Sequence, residues 1–187
     1  MTPSPSRIAA AAVLLLVWPA AARSAEFAAG GAAPALRTLI QPGETAPAFT
    51  LDDIDGRTVA VSPGGGKPSL VVFFSAFCPL CRELAPSVAG VAARSEGKVV
   101  VIGVNLDGKR FAGPVRSFVA AHGFRFPVLL DEIRDDLFVA SDRYGVDKTP
   151  TAVLVDGRGR VAGSFAAERM RDLLKDFDRL VDGVPRN

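Results

Sequence analysis

The only two cysteines of the chain, Cys78 and Cys81, stand two residues apart at the end of a strongly apolar run, in the stretch FFSAFCPLC. A pair at this spacing can serve as a structural disulfide, half of a metal site or a redox centre. A staple across so short a loop removes little chain entropy, and 187 residues bury enough surface to fold without one. A closed zinc site takes four ligands, and beyond the cysteines the chain offers one histidine, His122, at a predicted helix end. Only dimerisation could complete such a site. Redox chemistry asks for less: one thiol that ionises readily and a second within reach of it. Cys78 falls at the start of a predicted helix, where free N–H groups and the positive end of the dipole favour a thiolate. Pro79 suits the first helical position, because its missing N–H costs nothing there. Cys81, three residues on and on the same side, can reach back to attack a mixed disulfide on Cys78.

Other chemistries find little support. There is no GxSxG nucleophile elbow, and a lone His122 has no local partner that would make it a catalytic base. The loop SPGGGKP has Val61 and Pro68 where a phosphate-binding loop needs Gly and Ser or Thr. GRGRVA, residues 157–162, precedes a predicted strand instead of a helix, so it reads as a hairpin turn and not a dinucleotide site. A formal charge of +2 gives no electrostatic case for nucleic acid or an anionic membrane.

The elements that must position the pair follow from the apolar pattern. Residues 1–22 carry Arg7, an apolar stretch from Ile8 to Trp18 and small residues at Ala20 and Ala22, the pattern of a secretory signal cleaved after Ala22. Cleavage after Ser24 also fits. The apolar stretch is shorter than the roughly 20 residues of a membrane span, so an uncleaved anchor is the weaker alternative. Residues 23–46, rich in Ala, Gly and Pro, read as a flexible tether, and residues 47–187 as the folded domain. Within it, Asp55-Gly56 marks a β-hairpin, SLVVFFS a buried central strand, and Leu80, Leu84, Val88 and Val91 a helix running from Cys78 to about Arg94. KVVVIGVN is a second buried strand, VRSFVAAHGF a helix ending at Gly123, FPVLLD a strand, and DDLFVASDRYG a helix ending at Gly145. Thr151 to Val155 and Arg160 to Phe165 form a hairpin about Asp156-Gly157, and one terminal helix carries Met170, Leu173, Leu174, Phe177, Leu180 and Val181. The sum is an α/β fold with a mixed sheet covered on both faces.

Five segments in order, APAFTLDDIDGRTVAV, FFSAFCPLCRELAPSV, VVVIGVNLD, FVAAHGFRFPVLLD and YGVDKTPTAVLVDGRGRV, resemble the exported thioredoxin-like proteins of the TlpA/ResA type over about residues 46–181. The resemblance implies a thioredoxin-like fold with an N-terminal β-hairpin and an extra strand and helix between the active-site helix and the Thr-Pro motif. It implies a cis Thr149-Pro150 peptide facing the cysteines, with Thr149 offering backbone hydrogen bonds to a partner segment. Pro79 and Phe77 complete the implied substrate-binding surface. Three positions depart from the family's habit: Phe77 stands for Trp, Val72 for a buried polar residue, and Leu84 for Glu. Glu83, about 100° round the helix from Leu84, is then the candidate for proton handling at Cys81.

The function expected is a thiol-disulfide oxidoreductase of the periplasm or another extracytoplasmic compartment. It would need no cofactor and no metal, with Cys78 and Cys81 forming the redox-active disulfide. By resemblance its partners are disulfide-bearing proteins of cytochrome c maturation or copper-centre assembly, and a membrane thiol donor re-reduces it. The alternatives are a disulfide-forming oxidant, a thiol peroxidase, and a chaperone holding Cu(I) or Zn(II) on the two thiolates. The peroxidase pattern P-x-x-x-T-x-x-C meets Val71 and Ser75 here instead of Pro and Thr. The only tryptophan, Trp18, lies in the expected signal, so redox state must be followed by thiol labelling.

Overall fold

The computed structural model describes residues 38–185; the expected signal and the tether up to residue 37 lie outside the described residues. The chain enters as a hairpin of β1 (Phe49–Asp53) and β2 (Thr58–Val61). The Asp53 carboxylate accepts from the N–H groups of Asp55 and Arg57, which closes the turn at Gly56. Then follow β3 (Ser69–Phe74), α1 (Pro79–Arg94), β4 (Val100–Asn105), a 3-10 turn over Lys109–Phe111, α2 (Ala112–Ala121) and β5 (Val128–Leu130). These hydrogen-bond into a seven-stranded sheet of order β2-β1-β5-β4-β3-β8-β9, completed by β8 (Thr151–Val155) and β9 (Val161–Ala166). β3, β4 and β5 run parallel, and the other pairings are antiparallel.

β3 is buried at every residue because both faces of the sheet are covered there. Val71 and Phe73 point into one core with Leu51, Ile102, Val104, Leu129, Tyr144 and Val153. Leu70 and Val72 point into the other, where Leu84, Val88 and Val91 of α1 meet Met170, Leu173 and Phe177. This alternation turns an unbroken apolar sequence into a central strand. Phe74, at the end of β3, joins a third cluster with Cys81, Ala85, Val115 and Phe118, so α1 and α2 share the cysteine-bearing end of the sheet.

Three segments fold differently from expectation. The segment expected as one helix ending at Gly145 instead forms a small hairpin, β6 (Ile133–Arg134) and β7 (Leu137–Phe138), followed by the short α3 (Ser141–Tyr144). Asp135 and Asp136 both take positive φ (51° and 64°), which breaks any helix there. The buried Asp131 carboxylate accepts from the N–H groups of Ala140 and Ser141 and delays the helix start to that point. Gly145, at φ 64°, ends α3 as expected. The terminal helix is two, α4 (Arg169–Lys175) and α5 (Phe177–Asp182), parted at Asp176, although its apolar face packs as one. The last residues of the expected tether belong to the packed body: Ile40 is in the core, and the N–H groups of Ile40, Gly43 and Ala46 donate to Tyr144, Val161 and Gly159 at 2.8–2.9 Å.

The two glycine-rich loops meet each other at the end of the sheet away from the cysteines. Gly66 N–H donates to Gly157 O at 3.0 Å. A Cβ on Gly64 would lie 2.4 Å from the Gly159 backbone nitrogen, so close turn-on-turn packing accounts for the glycines. No helix among the described residues is long and apolar enough to cross a membrane.

Candidate active site

Cys78 is the N-cap of α1, with extended backbone (φ −75°, ψ 121°), and Pro79 opens the first turn. The Cys78 sulfur accepts the Cys81 N–H at 3.2 Å, taking up one of the donors that every helix start leaves free. Both thiols are free, Cys78 half-buried and Cys81 buried at 4% exposure. Across the cleft the Thr149-Pro150 peptide is cis, as the resemblance implied, and the Thr149 carbonyl accepts from the Cys78 thiol at 3.5 Å. Thr151 Oγ1 donates to Lys148 O at 2.8 Å and Ala167 N–H donates to Pro150 O at 2.7 Å, which fix this loop from both sides.

The two sulfurs differ sharply. Burial alone would raise the Cys78 pKa, but hydrogen bonds from the Cys81 thiol and amide outweigh it. With lesser help from the Thr149 side chain and the Leu80 amide, they hold Cys78 below an ordinary thiol. Cys81 is pushed up to about 12, first by burial and then by its contact with Cys78. It sits among Phe74, Ala76, Ala85, Val115 and Phe118. Such an arrangement favours ionisation of the thiol at the mouth and keeps the one behind it protonated.

A family model for the AhpC/TSA family matches residues 42–164. The chain belongs to the AhpC/TSA family. This AhpC/TSA-family chain is 29% identical over 144 residues to the thiol-disulfide oxidoreductase ResA of Bacillus subtilis (strain 168), a match covering 76% of each chain. It is 32% identical over 147 residues to the methylamine utilization protein MauD of Methylophilus methylotrophus, covering 75% of this chain and 63% of that one. Among solved structures, a thiol:disulfide interchange protein from Bacteroides sp. superposes with a TM-score of 0.64 at 24% identity, over 79% of this chain and 93% of that one. The fold is thioredoxin-like, and the chemistry is thiol-disulfide exchange of the ResA type.

Most of the expected site residues of this AhpC/TSA-family chain come together. Cys78, Cys81, Thr149 and Pro150 converge, Pro79 is exposed at the helix start, and Phe77 stands 51% exposed beside Cys78. Phe77 packs edge-on against Phe111 from the turn before α2, with ring centroids 5.4 Å apart. Val72 and Leu84 are buried in apolar surroundings, as their types require. Glu83 is placed elsewhere: it is exposed and paired with Arg171 of α4 at 2.6 Å, so its carboxylate is spent on the surface and does not serve Cys81. His122 caps the end of α2 against the Phe118 ring, at 4.5 Å between centroids. No group of three or more metal-ligating side chains occurs among the described residues.

One residue escaped the sequence reading. Asp107, just after β4, accepts from Ser75 Oγ at 2.6 Å, Ala76 N–H at 2.8 Å and Asn105 Nδ2 at 2.8 Å. It thereby ties the loop leading into Cys78 to the neighbouring strand. Asn-Leu-Asp after an apolar strand has the composition of any turn, and nothing local marks it.

Proposed function

We propose that this protein is an extracytoplasmic reductant of disulfides in partner proteins, with Cys78 as attacking thiol and Cys81 as resolving thiol. The observation that carries the reading is the Cys78 sulfur at a helix start, hydrogen-bonded by the Cys81 amide and facing the Thr149 carbonyl. The Cys78 thiolate attacks one sulfur of the partner disulfide; a new S–S bond forms, the partner bond breaks, and the second partner sulfur leaves as a thiolate. That thiolate takes the Cys81 proton. Cys81 then attacks Cys78, closing the intramolecular disulfide and releasing the partner as a dithiol. Two electrons have passed to the partner, and a membrane thiol donor returns them. Thr149, Pro150, Pro79 and Phe77 form the surface that receives the partner segment. Export rests on the signal pattern of residues 1–22, and partners of the cytochrome c maturation or metal-centre assembly kind rest on the TlpA/ResA resemblance.

The test is Cys81→Ala expressed in the native organism. Without the resolving thiol, Cys78 accumulates in mixed disulfides that a reductant releases; absence of any Cys78-dependent adduct contradicts the reading. A second reading, disulfide formation, is favoured by one feature: the hydrogen bonds that hold the Cys78 pKa down also stabilise the reduced form, which makes a pair more oxidising. A reduction potential near that of the strong oxidants would reverse the direction of electron flow and keep the same residues. Rapid peroxide turnover would point to a thiol peroxidase, and stoichiometric Cu(I) or Zn(II) retention without exchange to a metal chaperone.

A further inference from the structure

The loop that delivers Cys78 to the helix start has no regular structure of its own. Its conformation is held by a polar cluster at the end of β4. One Asp107 oxygen accepts from Ser75 Oγ at 2.6 Å, and the other accepts from Ala76 N–H and Asn105 Nδ2, both at 2.8 Å. Asn105 is fully buried, its Oδ1 accepts from Asp107 N–H at 3.0 Å, and its Nδ2 also reaches Phe74 O at 3.4 Å. Ser75 passes the order onward, for its Oγ accepts from Phe77 N–H at 3.1 Å and its carbonyl accepts from Cys78 N–H at 3.3 Å. Every backbone N–H from residue 76 to residue 78 is thus committed inside this network. On the outer side, Arg82 Nε donates to Ala76 O at 2.9 Å and closes the loop against α1.

We propose that Asp107 is a positioning residue for Cys78: through Ser75 and Ala76 it sets the angle at which the sulfur meets the Cys81 N–H and the Thr149 carbonyl. This rests on the reading of Cys78 as the attacking thiol. Asp107 touches neither sulfur in any hydrogen bond of the structure, and its three partners are all donors. A carboxylate is the group that can accept all three. An amide in its place turns an NH2 toward donors, so Asp107→Asn removes more than charge. The position also explains how a site with Val72 and Leu84 in place of polar residues keeps an ordered mouth: the carboxylate comes from the neighbouring strand.

Charge and position act in opposite directions, which makes the proposal testable. Taking a negative charge away from the region favours the thiolate and lowers the Cys78 midpoint; losing the alignment with the Cys81 N–H raises it. The experiment is iodoacetamide labelling of Cys78 against pH, read by mass spectrometry in the full reduced protein, alongside thermal unfolding. For Asp107→Asn we expect the midpoint to rise and labelling at pH 7 to slow about tenfold. For Ser75→Ala, which removes one of the three bonds, we expect a few-fold slowing in the same direction. A midpoint that falls or stays unchanged in folded Asp107→Asn overturns the proposal, even if its Tm drops. Should Asp107→Asn not fold, Ser75→Ala decides, and an unchanged midpoint there overturns it equally. If Cys78 of the unaltered protein already titrates like a free thiol, the reading of Cys78 as attacking thiol fails first and the proposal falls with it.

Discussion

The two cysteines occupy regions of opposite character only one helical turn apart. At the mouth, Cys78 is half-open, faces a carbonyl and accepts an amide, and its approach loop is held by Asp107, Asn105 and Ser75. One turn deeper, Cys81 is enclosed by phenylalanine, alanine and valine side chains. The same side chain is thereby lowered in pKa at one place and pushed up to about 12 at the other. The contrast between the two thiols comes from surroundings and not from residue type. Hydrogen bonds to the sulfur favour the charged form at the mouth, and desolvation disfavours it below.

The largest break in this comparison is Cys78→Ser, which removes the only thiol with a depressed pKa. Exchange with a small neutral disulfide such as hydroxyethyl disulfide falls on the order of 10³-fold or more; a variant with substantial residual activity would mean that Cys81 can take the first step. Next, Val115→Glu puts a carboxylate into the dry region around Cys81. Val115 is fully buried, so the loss of its packing together with burial of a charge costs at least about 2 kcal/mol in urea unfolding. An unchanged midpoint and slope would show that the region is wetter than its apolar lining implies. The pH dependence of the resolving step is the third test. Because the Cys81 pKa is raised, its thiolate fraction is small at neutral pH and climbs roughly tenfold per pH unit toward about 12. Release of an external thiol from a preformed mixed disulfide on Cys78 therefore accelerates from pH 8 to pH 10, in stopped-flow measurements, where a free-thiol Cys81 would level off. The smallest effect belongs to Glu83→Gln, which breaks an exposed pair with Arg171: under about 0.5 kcal/mol in stability and no change in exchange rate.

How much of this was legible in the sequence depended on how local the cause was. β3 and β4 announced themselves as unbroken apolar runs, and α1 as a 3.6-residue repeat with Cys78 and Pro79 at its start, because burial on two faces or on one stripe writes directly into residue order. The segment from Asp131 to Gly145 misled because its apolar spacing resembles a helix, while the deciding contact joins the Asp131 carboxylate to amides nine and ten residues away. The break at Asp176 has neither Gly nor Pro to signal it. Within the site, the cysteines and Thr149-Pro150 were readable as motifs. Glu83 was misassigned because a step of one residue on a helix turns a side chain out of the site, where Arg171 waits. Asp107 was invisible since its role depends on strand pairing: Phe74 lies beside Asn105 in the parallel register, and that alone brings the turn after β4 to the loop before Cys78.

The contrast between the two thiols is tested most directly by treating the fully reduced protein with one equivalent of iodoacetamide across the pH range and locating the label by mass spectrometry. Cys78 alone should be modified at neutral pH, with a midpoint below that of a free cysteine and Cys81 unlabelled until strongly alkaline conditions. Equal labelling of the two, or Cys81 reacting first, would contradict it.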